Sequence, residues 1–157
     1  MIWDTPRFVP LTLELLEWAL AEREAASPEA CAYRQPGHVL EQALRPPHRG
    51  EALLGRGRVL AAAGLTVHWA GRAECWMLVS PFATRADRVR AVRRCRRTLD
   101  EMQADPMFRR LEMAVLESAP WRDSFAVALG FIAEATVRAW DPLGRDHVLY
   151  ARIQGAG

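Results

Sequence analysis

The stretch "ECWMLVSPFATRADRVRAVRRCRRTL", residues 74–99, constrains the fold more than any other part of the chain. From Cys75 to Val79 it is apolar on both faces, a pattern that suits a strand covered on both sides. Ser80-Pro81 breaks the run, and Thr84-x-x-Asp87 then forms a capping box, in which a hydroxyl and a carboxylate three residues apart satisfy the first free amides of a helix. Val89, Val92, Cys95, Leu99 and Met102 predict the inner face of that helix, which ends near Asp105-Pro106. "RRLEMAVLES" follows as a second buried strand. A strand-helix-strand connection of this length places Glu74 to Ser80 and Leu111 to Ser118 side by side and parallel at the centre of a sheet. Leu78, Val79, Met113 and Val115 are then expected to be almost fully buried.

The flanks supply the rest of the order. "LTLELLEWALAERE" predicts an amphipathic helix with Leu11, Leu15, Trp18 and Ala19 on one face, ended by Ser27-Pro28. A weaker helix, "GHVLEQAL", stops at Pro46-Pro47. "EALLGRGRVLAAAGLTVHWAGRAECWMLVSP" reads as three strands punctuated by Gly55-Gly57 and Ala70-Gly71. Downstream, Pro120 opens a short helix that turns Trp121, Phe125, Ala128 and Leu129 inward and stops at Gly130. Phe131 to Trp140 and His147 to Ile153 are strands joined through "DPLG", a turn with Asp first, Pro second and Gly fourth.

With 157 residues, half of them apolar, the chain is the size of one domain, residues 1–157. All 21 basic residues are arginine and the net charge is only +2, so electrostatic effects must be local. Seven arginines lie between Arg85 and Arg97. They read either as a polyanion-binding face, for coenzyme phosphates or nucleic acid, or as a solvated helix face; with no aromatics interleaved, the second is preferred. Cys31, Cys75 and Cys95 are odd in number and share no CxxC spacing, which fits reduced, buried thiols in a reducing compartment and no metal site. Cys75 has no histidine placed by sequence to activate it. The six tryptophans are expected to fill core and interface positions. No apolar run near the N-terminus reaches signal or membrane-span length, so a soluble chain with no membrane partner is expected.

The element order, the glycine-bearing third strand (Gly64), the apolar fourth strand ending in "VSP", and "LGF" after the last helix together resemble the GNAT family, the Gcn5-related N-acetyltransferases. The resemblance implies an α/β (α+β) fold with a mixed sheet of about six strands and about four helices, splayed between its fourth and fifth strands. It also implies acetyl-CoA as cofactor. The pantetheine would pair with the strand at Leu78, Val79 and Ser80, and the pyrophosphate would lie on the turn Pro81 to Arg88, with Arg85 and Arg88 beside it. Glu74 or His68 would be the base that deprotonates an attacking amine.

Two departures accompany the resemblance. The family's phosphate loop carries glycines where this chain has Thr84, Asp87 and Val89, or Arg85, Arg88 and Arg90 in the adjacent register, and a side chain there fills the space a pyrophosphate needs. The family's tyrosine acid falls on Ala126, beside Phe125. A second likeness, Gly71 to Trp76 with its "CW", is to the GNAT-like internal virion proteins of podoviruses related to T7. The combined expectation is an acetyltransferase-like protein with a degenerate acetyl-CoA site and no cofactor. It would serve as a bacteriophage structural or assembly component in the virion or host cytoplasm, associating with other virion proteins or with itself, with nucleic-acid contact through the Arg85–Arg97 helix as a further option. The alternative is an active acetyl-CoA-dependent N-acetyltransferase in which arginine side chains replace backbone amides.

Overall fold

The structure, a computed structural model, describes residues 5–26, 44 and 50–155. They form strand β1 (Arg7–Pro10), helix α1 (Leu13–Ala26), strands β2 (Glu51–Gly55), β3 (Arg58–Trp69) and β4 (Arg72–Val79), and helix α2 (Arg85–Met102). A 3-10 turn (Pro106–Phe108), β5 (Arg110–Leu116), α3 (Arg122–Leu129), β6 (Ile132–Val137) and β7 (His147–Ile153) follow. The strands make one mixed sheet in the order β1-β2-β3-β4-β5-β7-β6. The expected α/β class holds, with seven strands where about six were expected. The added one, β1, has only four residues, too few to carry a period of two. Cys31 and most of the expected helix at 37–44 lie outside the described residues. No helix among the described residues is long and apolar enough to cross a membrane.

Two compact units are distinguishable. The first comprises the described residues up to Thr66 together with Trp76–Ala91; the second comprises Val67–Cys75 and the chain from Val92 onward.

In the first unit, β1 and β3 both run antiparallel to β2. The two-residue turn between β2 and β3, Arg56-Gly57, has positive φ at both positions, 52° and 66°. That is the backbone of a type I′ hairpin turn, whose twist matches the strands it joins. One cluster packs Leu11, Leu16 and Ala19 with Ala52, Leu54, Val59 and Ala62. A second packs Leu53, Leu60 and Ala61 with Ala83 and Ala91. The inner face of α1 is thus Leu16 and Ala19, while Trp18 is exposed and Leu11 precedes the helix. Trp18 lies 200° around the helix from Leu16 at about 100° per residue, on the outer side.

Along β4 the side chains alternate. Trp76 and Leu78 lean on the first cluster, and Met77 and Val79 on the second. All four are only half-buried, so the expectation of near-complete burial for Leu78 and Val79 fails. Each has one cluster to lean on, which covers part of its surface and leaves the rest wet. The Trp76 indole takes up the room above Gly64, where an added Cβ would come within 2.5 Å of its Cζ2.

In the second unit, β4 and β5 are parallel neighbours with Arg72, Ala73 and Glu74 opposite Arg110, Leu111 and Glu112, as the crossover through α2 predicts. β7 lies antiparallel to β5 from Arg110↔Ile153 to Leu116↔His147, and β6 closes the order with a bulge between Ala133 and Ala135. Met113 and Val115 are buried as expected. The "DPLG" turn forms: the Gly144 amide donates to the Asp141 carbonyl at 2.8 Å. The buried Asp141 carboxylate also accepts the Leu143 and Arg145 amides at 2.9 and 3.0 Å. Gly130, at φ 80°, terminates α3.

Two helix faces differ from expectation by a small rotation. In α2, Leu99 and Met102 are buried and Val92 and Cys95 half-buried, but Val89 is exposed and Ala91 lies inward. In α3 the buried pair is Ala126 and Leu129, with Ala128 and Trp121 outside. Trp69 and Trp140 are exposed as well, so four of the six tryptophans fill no core.

Gly64→Ala should lower stability by about 1 to 3 kcal/mol in urea unfolding, because the new methyl overlaps a rigid ring. Adding Gly64→Ala to a Trp76→Leu chain should cost almost nothing. Equal costs in the two backgrounds would mean that the indole does not sit over Gly64.

Candidate functional site

The turn between β4 and α2 is built from its hydrogen bonds, all within the first unit. Ser80 is buried, and its amide donates to the Leu60 carbonyl at 3.0 Å. Its carbonyl receives the Ala83 amide at 3.0 Å, and its Oγ receives the Phe82 amide at 3.2 Å. The same Oγ donates to Glu22 Oε2 at 3.4 Å, and Arg58 reaches Glu22 Oε1 at 3.1 Å while its guanidinium lies 4.1 Å over the Phe82 ring. The chain thus enters the helix with its first amides already directed inward.

The capping box then closes as the sequence predicts. The Thr84 amide donates to Asp87 Oδ2 at 2.9 Å, and the Asp87 amide donates back to Thr84 Oγ1 at 3.2 Å. Thr84 Oγ1 and Arg56 Nη2 both donate to the same Oδ2, at 2.6 and 2.5 Å. Asp87 is buried, and burial pushes its carboxyl up, but the bonds from Arg56 and Thr84 outweigh that and hold it at about 2. Among the described residues, only the Arg85 and Ala86 amides of this first turn face no acceptor, as the geometry of a helix start dictates.

The Phe82 and Ala83 amides are held by Ser80 and the Thr84 amide by Asp87, whose carboxylate brings a negative charge to the turn. Leu78 and Val79 remain half-buried on β4, Ser80 is buried, and Arg85 and Arg88 stand in solvent. The cofactor-binding residues named from sequence therefore lie along one stretch of chain.

The second unit holds the two candidate bases, and the structure brings them together. His68 Nε2 lies 3.2 Å from Glu74 Oε2, both partly exposed. Beside them Arg72 stacks 4.5 Å over the exposed Trp69 ring and donates from Nε and Nη2 to Glu112 Oε2 at 3.0 and 2.7 Å. Arg110 Nε donates to Glu112 Oε1 at 2.5 Å, and its Nη1 to Glu134 at 3.0 Å. Burial pushes the Glu112 carboxyl up, but its two arginines outweigh that and hold it below the usual carboxylate range. This charge ladder carries structure, and the His68–Glu74 pair lies at its margin.

At the position of the missing tyrosine acid, Ala126 is fully buried. The sequence reading passed over Tyr150, whose hydroxyl donates to Asp123 Oδ1 in the first turn of α3 at 2.5 Å. Burial, then the Asp123 bond, pushes it up to about 12. Alternation along β7 marks Tyr150 as inward-facing, but nothing local to it names Asp123. Arg56 was missed as well, because its reach to Asp87 depends on a left-handed backbone that sequence alone leaves unspecified for arginine. Cys75 is half-buried, and burial pushes its thiol up to about 12, which makes it a poor nucleophile. Among the described residues no group of acidic, histidine or cysteine side chains could hold a metal ion.

No family model matches the sequence, and no curated protein matches it. Solved structures do match its fold. An N-acetyltransferase from Staphylococcus aureus Mu50 superposes with a TM-score of 0.74 at 16% identity, covering 96% of this chain and 99% of that one. The ribosomal-protein-S18-alanine N-acetyltransferase from Escherichia coli gives 0.71 at 18%, covering 98% and 96%. An acetyltransferase of the GNAT family from Streptococcus pneumoniae gives 0.73 at 11%, covering 96% and 100%. The fold is therefore that of the GNAT acetyltransferases.

Asp87 supplies the test of this site. Its folded-state value lies below its unfolded one, so its contribution is complete above about pH 4 and is lost as pH falls towards 2. Asp87→Asn should cost about 2 kcal/mol at pH 7, with the gap to wild type closing between about pH 4 and pH 2. A gap that stays constant over that range would show the carboxylate to be uninvolved.

Proposed function

We propose that this chain uses the acetyltransferase fold as an assembly or packing component and not as an efficient acetyl-CoA-dependent enzyme. The observation that carries the reading is the Asp87 carboxylate, which takes the place of a bound anion at the head of α2. It accepts from Thr84 twice and from Arg56 once, so it occupies donors that an outside anion would otherwise meet. The absence of a hydroxyl at Ala126 supports the same reading, since a departing thiolate would find no proton there. The kind of assembly is the one implied by the "CW" likeness to internal virion proteins: a phage-encoded component that associates with other virion proteins or with itself.

A second reading, an active N-acetyltransferase, is favoured by one observation, the His68–Glu74 contact. A neutral imidazole oriented by a carboxylate can take a proton from an ammonium or amine, directly or through water. It would need the Arg85 and Ala86 amides and the Arg85 and Arg88 side chains to hold phosphates that the rest of the turn does not accept.

Isothermal titration of the full chain with acetyl-CoA separates the two. The assembly reading expects no binding below millimolar ligand, and micromolar binding overturns it in favour of the enzyme. Particles induced from a strain carrying the gene should contain the chain by mass spectrometry; particles without it would remove the virion role.

A further inference from the structure

We infer that Cys75 and Cys95 are a redox-active pair that closes to a disulfide when the chain meets a low-molecular-weight disulfide. Both are thiols, both are half-buried, and both belong to the second unit. Cys75 shares its side of β4 with Met77 and Val79, because side chains two apart along a strand point the same way. Met77 and Val79 lean on the cluster that contains Ala91 of α2, so this is the side that faces the helix. Cys95 falls one turn beyond Ala91. At about 100° per residue it lies inside the arc of about 80° spanned by the buried Ala91, Met102 and Leu99, so it points back at the sheet.

The two thiols are also level along the strand. β4 and β5 are parallel, so the helix that joins them runs back along both. From Cys75 to Val79 the strand advances about 13 Å at about 3.3 Å per residue. From Arg85 to Cys95 the helix returns about 15 Å at about 1.5 Å per residue. The same count brings Ala91 level with Met77, and those two do share a cluster. The electrostatics agree with the placement: burial first, and then the charge of a Cys95 thiolate, push the Cys75 thiol up to about 12. A thiolate at Cys95 can repel one at Cys75 only from nearby.

The order of events follows from the Cys75 thiol, which forms too little thiolate to attack first. Cys95 attacks the incoming disulfide RSSR: its sulfur bonds to one sulfur of the reagent, the RS–SR bond breaks, and one RSH leaves with the Cys95 proton. Cys75 then attacks the Cys95 sulfur of that mixed disulfide, the Cys95–SR bond breaks, and a second RSH leaves with the Cys75 proton. Two protein thiols lose two electrons, and one RSSR is reduced to two RSH. The second step is intramolecular, so nearness of the two sulfurs offsets the scarcity of the Cys75 thiolate. The bond closes a loop, residues 75–95, that contains the whole turn from Ser80 to Asp87. Oxidation therefore fixes both ends of that turn, whether or not acetyl-CoA binds there.

The test incubates the full folded chain with oxidised glutathione and maps its disulfides by mass spectrometry after digestion. A peptide containing Cys75 should be joined to one containing Cys95. Closing a loop of about 20 residues should raise the melting temperature by about 5 to 10 °C, and reduction with dithiothreitol should reverse the rise. In the Cys75→Ser chain, glutathione should stay on Cys95 and the melting temperature should not rise. Cys75 and Cys95 both unmodified after the incubation overturn the inference. So do glutathione on either of them without the cross-link in the wild-type chain, a bond from either to Cys31 in its place, and a cross-link that forms only in urea.

Discussion

The Asp87 side chain joins two pieces of chain that have no sequence reason to meet. It caps α2 through Thr84, and it receives the Arg56 guanidinium from the turn between β2 and β3. Arg56 reaches it from a backbone at φ 52°, a conformation that costs a non-glycine residue about 1 kcal/mol or more. A charge-assisted bond to a buried carboxylate is strong enough to offset that. The direction in which β4 hands the chain to α2 follows from this one carboxylate.

The arginine-only composition then acquires a physical division of labour. In the second unit the guanidinium groups of Arg72 and Arg110 converge on Glu112, where planar two-donor geometry lets two cations satisfy one buried carboxylate. A lysine could not donate twice in one plane. On α2, by contrast, Arg85, Arg88, Arg90, Arg93 and Arg97 stand exposed to solvent. One residue type serves as internal cross-link in one place and as surface charge in another, and only the placement of acids distinguishes the two.

The local chemistry of the turns was legible from the sequence because each depends on residues within four positions: Thr84 with Asp87, Asp141 with Gly144, Gly130 after Leu129. The parallel pairing of β4 with β5 was legible for a different reason, the constraint a crossover helix places on two buried strands. The helix faces were read less well. Val89, Trp18 and Ala128 were expected inward, whereas Ala91, Leu16 and Ala126 are buried, because the direction in which a helix meets its sheet is set by contacts distant in sequence. In the candidate site, the cap was readable and its partner Arg56 was not, since a bond across 31 residues leaves no local trace. His68 and Glu74 were named from the sequence only as alternative bases, and their contact across one tight hairpin turn was not read there.

At the far end of the sheet order, β6 is an edge strand with an almost wholly exposed face, including Ile132. Such an edge invites another strand to add to it. Here the bulge between Ala133 and Ala135 breaks the regular spacing of the open amides, and Glu134 at the bulge is drawn onto Arg110. The consequence is colloidal. A crowded solution of this protein meets, at this border, a kinked ribbon with a fixed charge, so growth into open-ended fibres through β6 is discouraged.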